Sequence, residues 1–407
     1  MYQKIKKILQ RMGCCFLSAS LSLSVPVYVN ASEESSSAED VYHTEYYSQP
    51  ADTDSIAGWP QGPNIEARAA ILMDLTTEAI LYSKNADTQL YPASITKIMT
   101  ALLGCENLDM SKEMVVSEAA AYGIEPGSSC IYAETGEVFT TQQAMMAVML
   151  ESANEMSLAI AEETSGSTKK FVEYMNQRAR QLGCQNTHFN NPNGLPDETH
   201  YTTANDMAKI AKAAWYNPLF RKFVTRQYFE IPPTNIQPET RYFLNHHKMM
   251  KGRDYEYEGV LGGKTGYTDA AGNTLVTYAK RGNTYLLVVI LSSINGAYAD
   301  TAALLDYGFE HFEKVRLAVD KEPVPVKTLP SEKYLLKNNG NTFPFYYKRN
   351  VYVTVPKGTD VTTLTKKQAF LQNAVGPLRL KSKYYLNGHM VGWGMQYERN
   401  ILSDLLL

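Results

Sequence analysis

Pro92-Ala93-Ser94-Ile95-Thr96-Lys97-Ile98-Met99-Thr100 is the stretch on which the reading of this chain turns. Proline suits the first position of a helix. Ile98, Met99, Leu102 and Leu103 then recur at helical spacing, so a helix is expected to start here with Ser94 in its first turn. Three residues make nearly one turn, which sets Lys97 beside Ser94 on one face. A serine hydroxyl is a poor nucleophile until a base takes its proton. A lysine that opens an apolar run can be that base if burial or a second cation strips its own proton. Ser167-Thr168-Lys169-Lys170 repeats the spacing on a charged helix and reads as a solvated face.

Two further elements stand downstream. Ser152-Ala153-Asn154 follows the Met-rich run Thr140 to Leu150 and precedes Met156, Leu158 and Ala159. It falls at a break between two buried helices, where polar side chains need partners. A helix cap is one reading; a proton-relaying Ser152 and a substrate-binding Asn154 is the other. Lys264-Thr265-Gly266 follows Val260-Leu261-Gly262-Gly263. By itself it reads equally as a turn with a surface lysine or as an edge strand beside a cleft, whose glycines permit close backbone approach. In the second case Lys264 and Thr265 would hold a terminal carboxylate, and the backbone N–H groups of Ser94 and Tyr267 would form an oxyanion hole. About sixty residues separate Ser94 from Ser152, and somewhat over one hundred separate Ser152 from Lys264. Those lengths fit a helical subdomain inserted between strands of one sheet, with Lys264 as the second cation near Lys97.

The flanking sequence supports that architecture. Ala69 to Leu75 and Ala79 to Tyr82 read as a hairpin across Thr76-Thr77. Helical segments follow, among them one capped by Ser167 and one over Asp206 to Trp215. Strands return at Gly272 to Tyr278 and Thr284 to Leu291, and Thr301 to Phe312 reads as a closing helix. The fold expected is α+β: an antiparallel sheet whose first and last strands meet, with helices packed against it. Beyond the prolines at 323, 325 and 330, the alternation at Val351 to Val355 and the Asn387-Gly388 hairpin signal predict a small all-β domain.

The 407 residues divide into four expected segments. Residues 1–31 have a basic head, a Leu/Ser/Val-rich stretch and a small-residue cleavage site, the pattern of a secretory signal. Residues 32–58 are acidic and polar, without Lys or Arg, and read as a disordered linker. Residues 59–316 would form the catalytic domain and 317–407 the β-rich domain. A formal net charge of −3 implies neither nucleic acid nor a strongly acidic partner. Cys105, Cys130 and Cys184 read as buried small hydrophobes with at most one disulfide, and no Cys or His cluster has metal-ligand spacing. No cofactor is expected.

The nucleophile segment, Asn193-Gly194-Leu195, His200-Tyr201-Thr202-Thr203, Gly263-Lys264-Thr265-Gly266-Tyr267-Thr268 and Leu304-Leu305-Asp306-Tyr307-Gly308-Phe309 resemble the signatures of one family over roughly residues 60 to 315. This is the low-molecular-mass penicillin-binding proteins of the D-alanyl-D-alanine carboxypeptidase type, with a β-lactamase/transpeptidase-like fold. The resemblance implies that Ser94 attacks the bond between the last two D-alanines of a peptidoglycan stem pentapeptide, Lys97 accepts its proton and Ser152 protonates the leaving D-alanine. It implies that Asn154, Lys264, Thr265 and Gly266 hold the substrate, and that β-lactam antibiotics acylate the same serine. It also implies a bacterial protein acting outside the cytoplasmic membrane, with weak peripheral attachment through the apolar end Ile401 to Leu407. Two departures stand out. Ala153 replaces the glycine common in relatives, and the segment around Ala297 lacks an arginine they often carry there. A β-lactamase, an endopeptidase and a non-catalytic wall-binding or antibiotic-sensing protein are the alternatives on the same fold.

Overall fold

The computed structural model describes residues 44–294, 296–318, 323–326, 343–371 and 379–398. Strands β1 (Ala69–Asp74) and β2 (Ile80–Lys84) form the first hairpin. A helical excursion follows: α1 (Lys97–Asn107), α2 (Glu118–Tyr122), α3 (Thr141–Met146), α4 (Asn154–Ser165), α5 (Thr168–Gln181), α6 (Ala204–Tyr216) and α7 (Pro218–Val224). It carries two small hairpins, β3 (Glu113–Val115) with β4 (Val138–Thr140), and β5 (Tyr228–Ile231) with β6 (Arg241–Leu244). The chain then returns through β7 (Val260–Thr268), β8 (Gly272–Arg281) and β9 (Thr284–Ser293), and α8 (Ala297–His311) closes the unit. The main sheet is antiparallel in the order β2-β1-β9-β8-β7. Its first and last strands meet and β7 is an edge, as expected from the sequence.

Successive strand residues point to opposite faces, and here both faces are covered. Ile71, Met73, Leu287, Val289 and Leu291 face the helical layer. Ala70, Leu72, Leu286, Val288 and Ile290 pack toward α8 and the C-terminal sheet. Burial on both sides explains why β1 and β9 read as unbroken apolar runs rather than alternating ones. Helix α1 is buried along nearly its whole length, Lys97 to Cys105, so the nucleophile turn stands on a helix fixed from every side.

The C-terminal sheet comprises β10 (Phe312–Ala318), β11 (Pro323–Val326), β12 (Phe343–Tyr347), β13 (Val351–Pro356), β14 (Thr365–Leu371), β15 (Arg379–Leu386) and β16 (His389–Glu398). Asn387 and Gly388 both take positive φ between β15 and β16, which is the turn their dipeptide favours. The boundary expected at 316/317 is corrected, because it cuts through β10. The prolines read as punctuation lie partly in β11, an edge strand of this sheet, where a missing N–H is tolerated. Val353, Val355 and Val391 join the core beneath β1. Thr354 Oγ1 donates to Asp74 Oδ2 at 2.9 Å, and Lys314 Nζ lies 3.2 Å from the same oxygen.

A second correction concerns the acidic linker. Residues 44–58 are ordered: a short 3₁₀ turn spans Asp52–Ser55, and Ala51 and Trp59 are buried. The acids serve local hydrogen bonds. Asp54 accepts from Ala51 N, Gln61 Nε2 and Gly62 N, while buried Lys84 donates to the carbonyls of Tyr46 and Ile65. The expected secretory signal, Cys14 and Cys15, and the apolar end from Ile401 lie outside the described residues. Cys105, Cys130 and Cys184 are free thiols.

Candidate active site

A single 3₁₀ turn, Ala93–Thr96, leads into α1 and carries Ser94. Residues three apart eclipse in such a turn, and Lys97 Nζ lies 3.0 Å from Ser94 Oγ. Lys97 is fully buried and also bonds Asn154 Oδ1 and the carbonyl of Asn193, each at 2.6 Å. A neutral amine fits this set. Its two N–H groups serve the two oxygens that can only accept, and its lone pair faces the hydroxyl. Burial, and then the positive charge of Lys264, hold Lys97 well below the ordinary lysine range; Glu155 acts in the opposite sense.

The turn is clamped on both sides. Ala93 has φ +49, a costly conformation for a residue with a Cβ. Gly194 presses against it, so that a Cβ at 194 would fall 1.9 Å from Ala93 O. On the other side Gly266 of β7 approaches so closely that a Cβ there would fall 2.8 Å from Ser94 N. Thr274 Oγ1 completes the clamp by donating to Pro92 O. Beneath the turn, Asn190 N donates to His200 Nδ1, which leaves Nε2 to serve Thr96 Oγ1. Burial pushes His200 down to about 4, so this support stays neutral.

The middle element lies where a helix comes apart. Helix α3 widens into a π turn, Ala147–Glu151, and Ser152 follows at φ +60, ψ +27. Single π turns of this kind are frequent at functional sites. Lys264 Nζ, from β7, lies 3.1 Å from Ser152 Oγ and donates to Thr265 O at 2.8 Å. Burial pulls Lys264 down to about 7, opposed by Glu151. Ala153 is buried without forming a side-chain cap, so the extra methyl is accommodated in the core.

These elements open on one cleft of about 730 Å³, lined among others by Ser94, Ser152, Asn154, Thr265, Gly266 and Tyr267. The sequence-predicted residues are therefore all brought together, with Lys264 behind the wall. The decoy Ser167 only caps α5, accepting from Lys170 N. Glu198 lines a separate pocket of about 300 Å³. Several polar groups escaped the sequence reading. Glu151 accepts from Leu244 N and bonds His246 Nε2, which lines the cleft. Burial works to raise Glu151, but those bonds and the His246 charge hold it below the ordinary range. Glu155 is raised by burial; its Oε1 takes Ile131 N and its Oε2 has no partner. No group of His, Cys, Asp and Glu among the described residues could hold a metal.

Compared with known proteins, residues 57–295 match the family model described as Peptidase_S11, D-alanyl-D-alanine carboxypeptidase. The chain belongs to this family of serine-type peptidases. Members similar to it include D-alanyl-D-alanine carboxypeptidase DacF of Bacillus subtilis, 34% identical over 74% of this chain and 82% of the relative. DacA of Escherichia coli K12 is 31% identical over 74% and 73%. Penicillin-binding protein 5 of Haemophilus influenzae superposes with a TM-score of 0.68 at 26% identity, covering 84% of this chain and 98% of that one. The Streptomyces K15 DD-transpeptidase gives 0.58 at 30%, covering 62% and 100%. The agreement with penicillin-binding protein 5 extends over a larger share of this chain than that with the transpeptidase.

Proposed function

We propose that this chain removes the terminal D-alanine from peptidoglycan stem pentapeptides through an acyl-enzyme on Ser94. The observation that carries the reading is the buried Lys97 amine, 3.0 Å from Ser94 Oγ, at the floor of a cleft walled by the Lys264-Thr265-Gly266 strand. Neutral Lys97 takes the Ser94 proton as Oγ attacks the carbonyl carbon of the penultimate D-alanine. The N–H groups of Ser94 and Tyr267 receive the oxyanion. The C–N bond breaks as Ser152 delivers a proton to the departing amine. Lys264, bonded to Ser152 Oγ, restores that proton, and its charge behind the wall, with Thr265 on the cleft surface, attracts the terminal carboxylate. Asn154 Oδ1 is held by Lys97, which leaves its amide N–H groups for the substrate. Lys97 then releases the Ser94 proton to solvent while Lys264 regains one, and neutral Lys97 deprotonates a water that attacks the ester; that proton returns to Ser94 Oγ as the acyl group leaves.

β-Lactams take the place of the D-alanyl-D-alanine amide. Their leaving amine stays tethered in the opened ring, so the ester persists. Glu198 lines a different pocket, which gives no support to fast β-lactamase deacylation through it. The reading also places the protein outside the cytoplasmic membrane, exported by residues 1–31. No helix among the described residues is long and apolar enough to cross a membrane. Weak peripheral attachment through Ile401 to Leu407 belongs to the same proposal.

The test incubates the protein with a diacyl-D-Ala-D-Ala peptide and with a fluorescent penicillin, beside Ser94→Ala. D-Alanine release and a covalent adduct are expected, both lost in the variant. An adduct without D-alanine release would refute the carboxypeptidase reading in favour of a penicillin sensor.

A further inference from the structure

The β5–β6 hairpin is covered on one face only. Phe229, Ile231 and Phe243 turn inward to the helical core. The other face places Tyr228 opposite Leu244 and Glu230 opposite Tyr242. Tyr228, Tyr242 and Leu244 are 39, 66 and 46% exposed, and Glu230 is exposed beside the Tyr228 hydroxyl, which donates to it. Single exposed aromatics need no explanation, but several on one face do. A further exposed ring is tied to the same hairpin through Arg241. Tyr132 is 82% exposed and is held at φ +57. Arg241, anchored on buried Glu137 at 2.7 Å, grips the carbonyls of Ile131 and Tyr132.

This face is continuous with the cleft. The N–H of Leu244 bonds Glu151, the residue before Ser152. His246, two residues beyond Leu244, lines the cleft. Residues 125–129, just before Tyr132, form another part of the cleft wall.

We propose that the open hairpin face, with Tyr132, is a docking surface for the glycan strand that carries the stem peptide, a chain of β-linked N-acetylated hexosamine rings. The inference rests on the stem-peptide reading above. A peptide seated in the cleft is one branch of a polymer, and its sugar backbone must leave along the rim. Pyranose rings present C–H faces that pack on aromatic rings, while their hydroxyls reach the tyrosine O–H groups and Glu230. Tyrosine serves such half-wet contacts because its ring is apolar and its tip is polar. The four hairpin residues of this face include no lysine or arginine and one glutamate, a poor match for an anionic lipid surface.

The experiment compares the full chain with Tyr228→Ala/Tyr242→Ala and with Tyr228→Phe/Tyr242→Phe. It has four readouts: hydrolysis of a soluble diacyl-D-Ala-D-Ala peptide, D-alanine release from peptidoglycan polymer bearing pentapeptides, co-sedimentation with glycan stripped of peptide, and co-sedimentation with anionic vesicles. In the alanine variant, loss of ring packing should raise KM on polymer and weaken co-sedimentation by about tenfold, with the soluble peptide cleaved at the wild-type rate. The phenylalanine variant should keep most of the binding. Equal KM on polymer for all three proteins overturns the proposal. So does an equal loss on both substrates, which would make the hairpin a mere support of the cleft, and so does binding to anionic vesicles but not to stripped glycan. If the wild-type chain cleaves neither substrate, the stem-peptide reading has failed, and unchanged co-sedimentation of the alanine variant would refute the glycan surface separately.

Discussion

Replacing Gly266 by alanine isolates the contact between the edge strand and the nucleophile. The added Cβ would fall 2.4 Å from Thr274 Oγ1, 2.8 Å from Ser94 N and 3.1 Å from Ile95 N. The threonine can rotate away, but two of the three atoms are backbone at the start of a buried helix. Bringing the contact with Ser94 N from 2.8 to an ordinary 3.4 Å requires β7 to retreat by about 0.6 Å. That retreat separates the two N–H groups assigned to the oxyanion and draws Lys264 from Ser152. Loss of one such donor costs ~2.7–4 kcal/mol of transition-state stabilisation, or about 10²–10³ in rate. The expected outcome is a fall of about 10²-fold or more in second-order acylation by a fluorescent penicillin, measured by stopped flow. Thermal unfolding should change little, because an edge strand can shift at small cost. Acylation within threefold of wild type, with the fold intact by circular dichroism, would refute the reasoning.

Glu155→Gln keeps an acceptor for Ile131 N but removes a charge that raises Lys97; with the amine harder to protonate, the acid limb of the kcat/KM–pH profile should move to lower pH, as read from initial rates between pH 4 and 9. In the wild type, Lys97 and Lys264 both have folded-state pKa values below the unfolded one. The unfolded chain then binds more protons, so stability should rise with pH up to the unfolded lysine value of ~10.4, with the Lys264 share of that rise beginning at about 7, in urea titrations at fixed ionic strength. Ser152→Ala removes the proposed relay and should slow acylation by about 10²–10⁴, with the far-ultraviolet spectrum unchanged. Lys314→Met leaves Asp74 buried without its cation and should cost about 3 kcal/mol in urea unfolding, while penicillin acylation of the folded protein stays at the wild-type rate.

The fold was legible where periodicity and chemistry coincide. The strand runs at Ala69 and Thr284, the helix after Pro92 and the Ser167 cap needed only local patterns. The three motif elements were legible because each combines unusual residue types, and their order implied one cleft. Composition misled at residues 44–58, where a polar stretch is ordered by Asp54 and by backbone bonds to Lys84; such partners are invisible in a local window. The Met-rich run looked like one helix to Leu150, yet it opens into a π turn before Ser152, a change of hydrogen bonding with no compositional sign. Glu151 and Glu155 were missed for a related reason: each acts through partners distant in sequence, so no spacing rule could single them out. Asn193 and His200 stood out only inside segments that resemble the family's, and their bonds to Lys97 and Thr96 were not legible there.

The meeting of β1 with β9, where Ile71 lies opposite Val289, has a consequence for biosynthesis. A nascent chain that has delivered Ser94 and Ser152 still lacks the three strands that complete the sheet and bring Lys264. The first hairpin must wait for almost the whole helical insert to be translated before it acquires its central neighbour. Ribosome-bound fragments ending before residue 264 should therefore remain unreactive toward penicillin, and reactivity should arise late and abruptly as the returning strands close the gap.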